Sequence, residues 1–516
     1  MKFLTAGLMH VTTSLDTAKF ARRSGDLKAT GPNQEKAFSK LVAGISSTRY
    51  GADHGVEPGL DAQTFRRQVP LANAASIQPY LDATLKGAPD ELWPGRCQRV
   101  YRTNGATSGD LRQLPLTDAT LSHFRKAAYQ IALMHTAASG HAGVFHGRHL
   151  YLSGSGASNT GDNDLSPILT ATMPRWAEKF LFEPGQDIAS ITDRETRIAQ
   201  TITRAVEQDI TLIAGTPSTL VRFIEGVINH MSQGGRSIRN LTDVWPNLEC
   251  VIHTGASATP HLDDLNQGLG RRVLLLEVFA ISEAVVAVHD GSPDGSLRLL
   301  DDNGVFFEFL PLQAKPDDHN QALPSTGIRV GADYELVVTT PSGLCRYRTD
   351  EVVRVTSVQP PRLLYRGRRS LALPLSPIAL YDRDLTEVVA KVCRRHNWSL
   401  EAFHVNPLQT SESTRHEWWI ELKPPCKETP ISSIIEEELD EALRSTCPDY
   451  LKQRESHDLD SPQVRLITPG VFNLCRKEID RADGEHTYAV CRPDRQVAEQ
   501  LMQYAGLQAN QSPTIG

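Results

Sequence analysis

Residues 193–279 alternate runs of helical period with short apolar runs set off by turn residues, and no other feature constrains the fold as much. "DRETRIAQTITRAVEQD" (193–209) has helical spacing. "ITLIAG" reads as a buried strand, Gly215–Pro217 as a turn, and the following "STLVRFIEGVINHM" as another helix. Short apolar strands return at 249–252 and 273–279. Strands separated by helices pair through crossovers, which implies an α/β core with largely parallel strands. The texture changes after about residue 284. "AVVAVHDG", "LRLL", "VFFEFLPL", "YELVVTT" and "LCRYRTDEVVRVTSV" are strands at turn-separated intervals, expected to form an antiparallel or barrel-like subdomain. Upstream, 34–45 reads as an amphipathic helix and 116–138 as a long helix capped near Thr117 or Asp118. "QPPRLLYRGRRS" supplies a Pro-rich corner and a basic turn. Beyond it, the helix "LYDRDLTEVVAKVCRRHNW", the strand "EWWIELK", the helix "SSIIEEELDEALRS" and a last helix near 495–504 form a compact α+β tail. The expected class is α/β, with a large N-terminal domain (1–366), a smaller α+β domain (367–516) and a boundary near 366–370.

At 516 residues the chain is too long for one compact core. Its 40% hydrophobic and 22% charged residues are those of a soluble globular protein. A formal charge of −7 with no offsetting basic stretch argues against nucleic acid as a partner. No run of about eighteen apolar residues suggests a membrane span. "MKFLTAGLMHV" is a poor signal peptide, short and broken by His10, so a cytoplasmic location is expected. The eight cysteines lack C-x-x-C pairs and the seventeen histidines lack ligand spacing, which argues against a disulfide framework or a dedicated metal site.

Four short segments carry candidate chemistry. In "TNGATSGDLRQLP" (103–115), Thr103, Asn104, Gly105, Thr107 and Ser108 precede Gly109, between a strand-like run and the 116–138 helix. Such a composition lets successive backbone N–H groups point into one concavity and hold phosphate oxygens. It equally suits a polar turn, and G-x-x-x-x-G-K-[ST] is absent. "HTGASATPHL" (253–262) offers Thr254, Gly255, Ala256 and Ser257 at a strand end, where α/β sheets bind ligands. "EVFAISEA" (277–284) presents Ser282 and Glu283, either as a helix cap or as a carboxylate for Mg²⁺. "SGLCRYRTDEVVRV" (342–355) places Asp350 and Glu351 at a strand start, as sugar-hydroxyl acceptors or as part of an ion-pair face.

In order and spacing, these segments resemble the plant auxin-responsive Gretchen Hagen family of acyl acid–amido synthetases, members of the adenylate-forming superfamily. The family's S-S-G-T-S-x-G-x-x-K-x-x-P aligns with Thr103–Pro115 at Gly105, Gly109 and Pro115, with Arg112 for the lysine. Its Y-A-S-S-E becomes Phe279-Ala280-Ile281-Ser282-Glu283. Its G-L-Y-R-Y-R-x-G-D-x-V becomes Gly343–Val353, and "TRYGADHGVEPGL" (48–60) resembles its N-terminal segment. The likeness spans most of 35–370. It implies an ATP- and Mg²⁺-dependent ligase that makes an acyl-adenylate and passes the acyl group to an amine, in particular an amino acid. It also implies roles. Thr103, Asn104, Gly105, Thr107 and Ser108 would cradle phosphates. Thr254, Gly255, Ala256, Phe279, Ser282 and Arg368 would flank the nucleotide. Glu283 would hold the metal and Asp350 or Glu351 the ribose. The acid would lie near Pro217, Leu220, Val221 and Ile224, residues that helix packing explains equally well. The alternatives are a degenerate member that binds nucleotide without efficient adenylation, or one that loads a carrier-protein thiol.

Two departures bear on chemistry. The family's ribose-binding Asp falls without gaps on Glu351, and Asp350 takes the preceding glycine's place; the register favours Glu351. The family's C-terminal lysine, in a G-x(6)-K-x-P setting, is Cys491 here, with Arg492 beside it, and "LPLSPIALYD" contains no basic residue where a second lysine is expected. Arg112, Arg346, Arg348, Arg368 and Arg492 remain as candidate cations, and Arg112, Arg348 and Arg492 are the ones expected to be catalytic.

Overall fold

A computed structural model describes residues 16–18, 29–97, 100–104, 111–152, 181–191, 193–255, 257–270, 273–314, 319–375, 378–409, 413–424, 426, 430–475 and 489–506. The chain divides into two compact units. The first runs to Tyr365 apart from two short segments; the second comprises those segments and Arg366–Gly516.

In the first unit, apart from Asn104 at the end of β1 and residues 366–368 at the end of the last strand, β1 (Val100–Asn104) and β2 (Leu111–Pro115) form a two-stranded sheet of their own. A twelve-stranded sheet contains β3 (Arg148–Tyr151), β4 (Phe182–Glu183), β5 (Ile210–Gly215), β6 (Cys250–Thr254), β7 (Leu274–Ile281) and β8 (Ala284–His289). It continues with β9 (Leu297–Leu299), β10 (Phe306–Pro311), β11 (Leu323–Pro324), β12 (Asp333–Thr339), β13 (Tyr347–Val358) and β14 (Pro361–Arg368). The strand order is β11-β10-β12-β13-β14-β9-β8-β7-β6-β5-β3-β4. From β4 to β7 the neighbours are parallel, as the helical crossovers require. The expected antiparallel strands follow in the same sheet, with β10 against β11 and β12, β12 against β13, and β14 against β9. Ile281 pairs with Ala284 across the two-residue turn Ser282–Glu283, so the hydrogen-bonded ladder passes directly from the parallel half into antiparallel β8 and β9.

Helices fix this sheet by specific contacts. The helix Asp118–Ser139 starts at Thr117, whose side chain accepts from the Thr120 N–H. It packs Leu121, Phe124, Ala127 and Ile131 on Val278, Ala280, Val285 and Val288. Its His123 is 2% exposed; Nδ1 lies 3.0 Å from the Asn303 carbonyl and Nε2 accepts from the Val285 N–H at 3.1 Å. The helix Thr30–Ile45 buries Phe38, Leu41, Val42 and Ile45 against Phe306, Phe309 and Leu336. Its Gln34 donates to the Val305 carbonyl and accepts from the Phe307 N–H, satisfying polar groups that burial would otherwise strand.

The second unit holds a hairpin of β15 (Leu373–Leu375) and β16 (Ile378–Leu380), and a sheet in which β17 (Leu400–Gln409) and β19 (Gln463–Ile467) flank β18 (Thr414–Leu422). The helices Asp382–Arg395 and Ser432–Thr446 cover an apolar core of Leu385, Val389, Val405, Trp418, Ile435 and Leu439. Asp384 caps the first of these helices by accepting from the Tyr381 N–H. No helix among the described residues is long and apolar enough to cross a membrane.

Candidate nucleotide site

Although β9 and β8 stand between β14 and β7 in the sheet order, side chains of β7, β13 and β14 meet. Phe279 of β7 and Tyr365 of β14 pack ring against ring, centroids 4.8 Å apart and planes inclined 32°. The Tyr365 hydroxyl donates to Glu351 Oε2 on β13 at 2.7 Å, and Glu351 is 3% exposed. Two of the residues expected at a nucleotide, Phe279 and Glu351, therefore meet through a third that sequence reading passed over.

The backbone of β13 explains why its two acids differ. Val337 faces Arg348 and Glu335 faces Val352, so three residues of β13 stand against Leu336 alone. Thr349 closes this bulge, donating to the Leu336 carbonyl and accepting from the Glu351 N–H. Asp350 takes up the slack with φ +69°, in the left-handed region that glycine enters freely and aspartate tolerates. The position that the resemblance assigns to a glycine thus has a glycine-like conformation, with Glu351 directed to Tyr365.

The arginines of the same segment are anchors. Arg346 is fully buried; it grips Glu308 through Nε (3.1 Å) and Nη2 (3.0 Å), and donates through Nη1 to the Arg66 and Val69 carbonyls at 2.7 and 2.6 Å. Arg348 forks onto Glu335 at 3.0 and 2.7 Å. Backbone hydrogen bonds in both directions between Ala72 and the Arg346–Arg348 stretch lock the N-terminal segment to this hairpin. The family-like residues of that segment are architectural as well. A Cβ at Gly51 would meet the Ile45 carbonyl oxygen at 2.1 Å, and Tyr50 stacks on His54 at 4.0 Å.

At the end of β6, Gly255 has φ +89° and Thr254 Oγ1 is buried without a hydrogen-bond partner among the described residues. A ligand donor or acceptor fits that orphaned hydroxyl, as Glu351 and the ring pair fit a sugar and a base. Ser282 and Glu283 form the β7–β8 turn, each only 9% exposed. Glu283 is therefore neither in a helix cap nor an exposed strand-end acid. One carboxylate fits Mg²⁺, which takes few protein ligands and completes its shell with phosphates and water.

Gly105, Thr107, Ser108 and Ala256 lie outside the described residues. Thr103 and Asn104 end β1 and Arg112 lies in β2, so the loop they bound joins two strands; the expected approach to the 116–138 helix is interrupted by "LRQLP" pairing as β2. Pro217, Leu220, Val221 and Ile224 are buried on the helix Pro217–Gln233, where a Cβ at Gly268 would meet Ile224 at 2.5 Å. Arg368 closes β14.

In the second unit, Arg492 forks onto Asp494 at 2.9 and 2.7 Å and reaches Gln496 at 3.1 Å. Its charge is already balanced. Cys491 is 3% exposed in the apolar core and bridges to Val405; burial, and then the Asp382 and Asp384 carboxylates, push its thiol well above the usual range. Tyr365 was discoverable in principle, as the aromatic of "RLLYRGR". Only tertiary pairing shows what its hydroxyl meets.

Comparison with known proteins matches three family models in chain order: the GH3 family N-terminal domain over residues 25–233, the GH3 family central domain over 298–368 and the GH3 family C-terminal domain over 383–492. The chain is 24% identical to a probable indole-3-acetic acid-amido synthetase, GH3.4, of Oryza sativa subsp. japonica, over 86% of this chain and 82% of that protein. Among solved structures, it resembles the AtGH3.15 acyl acid amido synthetase in complex with 2,4-DB, with TM-score 0.77 and 18% identity over 95% of this chain and 96% of that one. It also resembles 2-hydroxyisobutyryl-CoA ligase in the postadenylation state, with TM-score 0.57 and 12% identity over 95% and 93% of the two chains. These structural likenesses establish a mixed α/β fold shared with adenylate-forming enzymes.

Proposed function

The chain belongs to the GH3 family, and on that premise we propose that it is an ATP-dependent ligase that joins a carboxylic acid to an amine, in particular an amino acid, through an acyl-adenylate. The observation that carries the reading is the meeting of Phe279, Tyr365 and Glu351. Aromatic rings beside a buried carboxylate suit the base and sugar of a nucleotide, and Thr254 adds an unsatisfied hydroxyl at a strand end. Glu351 takes the ribose in this reading. Thr103, Asn104, Gly105, Thr107 and Ser108 hold phosphates, and Gly255, Ala256, Ser282 and Arg368 border the nucleotide. Glu283 holds Mg²⁺, which would neutralise phosphate charge.

The acid's carboxylate oxygen attacks the α-phosphorus and pyrophosphate leaves; the amine then attacks the acyl carbon, loses a proton and expels AMP. The first step needs cations directed at developing charge. Arg348 and Arg492 are engaged with Glu335 and Asp494, which directs attention to Arg112.

Pyrophosphate release with a panel of aromatic and aliphatic acids, indole-3-acetic acid included, tests the first half-reaction. Amide formation with amino acids tests the second. Release that depends on an acid supports the ligase; no release with any acid, at saturating ATP and Mg²⁺, rejects it. The burial of Cys491 at the family lysine's place and the Arg492–Asp494 pair favour one rival, a protein that binds nucleotide without activating acids. ATP-induced thermal stabilisation without pyrophosphate release identifies that rival. Label transferred to a carrier-protein thiol would identify thioester loading.

A further inference from the structure

We propose that Tyr365 is a positioning residue that aims the Glu351 carboxylate at the nucleotide's sugar hydroxyls, an inference that rests on reading this cluster as a nucleotide site. Glu351 is one methylene longer than the aspartate the family carries, and so has one more torsion to fix. A long acid on a bulged strand would swing, and a sugar would have to freeze it on binding.

The structure supplies one such constraint from β14. The Tyr365 hydroxyl holds Glu351 Oε2 at 2.7 Å, the separation of a charge-assisted hydrogen bond. The tyrosine ring is itself fixed by its contact with Phe279 at 4.8 Å, and Glu351's backbone is fixed by its N–H bond to Thr349. One ring thus does two things: it extends the aromatic wall begun by Phe279, and its hydroxyl orients the acid beside that wall. A carboxylate offers about four lone-pair positions, so one held by tyrosine is compatible with acceptance from a sugar hydroxyl. Holding the acid in place before binding is the way a neighbouring side chain raises affinity without touching the ligand.

Affinities for ATP and for 2′,3′-dideoxy-ATP, measured by calorimetry on the full chain, test this directly. Tyr365→Phe keeps the ring and removes the hydroxyl. It should weaken ATP about tenfold, leave dideoxy-ATP within about twofold and leave the thermal midpoint unchanged. Glu351→Ala should remove the preference for ATP over the dideoxy nucleotide, and adding Tyr365→Phe to it should change nothing further. Equal weakening of both nucleotides by Tyr365→Phe, or an undiminished loss in the Glu351→Ala background, overturns the role. Absence of ATP binding by the unmodified protein would instead sink the nucleotide reading. A preference that Glu351→Ala abolishes and Tyr365→Phe spares would sink only the positioning by Tyr365.

Discussion

Asp350 shows how a single backbone angle separates two adjacent acids. With φ +69° it stands where a Cβ is tolerated for aspartate but strained for most residues, and a β-branched chain would be worst placed. Asp350→Val should lower stability by about 1–2 kcal/mol in urea denaturation. Asp350→Gly should stay within about 0.5 kcal/mol, because relief of strain offsets the greater freedom of glycine in the unfolded chain. Equal losses in both variants would mean that the conformation is not what the position selects for. At this scale much was legible: Phe279, Thr254, Glu283 and the Asp350–Glu351 pair were all marked by type and order. Tyr365 was not, because its partner lies fourteen positions earlier on another strand. The burial of Glu283 was equally hidden, since a Ser-Glu turn does not announce that the strand after it continues the same sheet.

Elements are held by pairs that sequence reading took for surface charge or catalytic cations. Arg346 and Glu308 are buried to 0% exposure, and Arg346 also satisfies two carbonyls of the 66–69 stretch. Arg346→Ala leaves Glu308 charged and alone in the core and should cost about 3–5 kcal/mol, read as a drop in the denaturation midpoint. The pair replaced together, Arg346→Met with Glu308→Leu, should recover most of that loss, because the main penalty is the stranded charge. A double variant as unstable as Arg346→Ala would place the weight on the backbone carbonyls instead. The expected boundary near 366–370 carries a pair of the same kind. Arg366 forks onto Asp384 at 2.6 and 2.9 Å, and a Cβ at Gly367 would meet the Asp382 amide at 3.0 Å. These two residues are thereby tied to the helix Asp382–Arg395 within the second unit, directly after Tyr365 ends the first. Helices and strands were readable from period and turn residues. The single continuous sheet was not, since strand order depends on which edges meet.

Across the whole chain, burial of histidines sets the response to acid. His123 and His253 in the first unit, and His404 and His416 in the second, are each pulled down to about 4, first and foremost by desolvation of the charged ring. In the unfolded chain they titrate near 6.5. Between those values the unfolded state binds protons that the folded state refuses, so stability is fully present above about pH 6.5 and declines as pH falls toward 4. Each site contributes up to about 3 kcal/mol of loss at the lower end, with incomplete additivity. Buried Glu183, Asp301 and Glu308, raised chiefly by desolvation, act in the opposite sense but are fewer. Urea midpoints measured at pH 7.5, 6.5, 5.5 and 4.5 should therefore fall steadily, with net proton uptake on unfolding. His416 offers the cleanest check, because its Nδ1 is buried without a hydrogen-bond partner among the described residues and its ring packs beside Tyr450 at 6.2 Å. His416→Leu removes one titrating group while giving up little bonding. It should leave stability at pH 7.5 within about 1 kcal/mol and flatten the acid slope by close to one proton. An unchanged slope would mean that His416 is already protonated in the fold, or that the second unit opens before it titrates, and either result contradicts a histidine kept neutral by its burial.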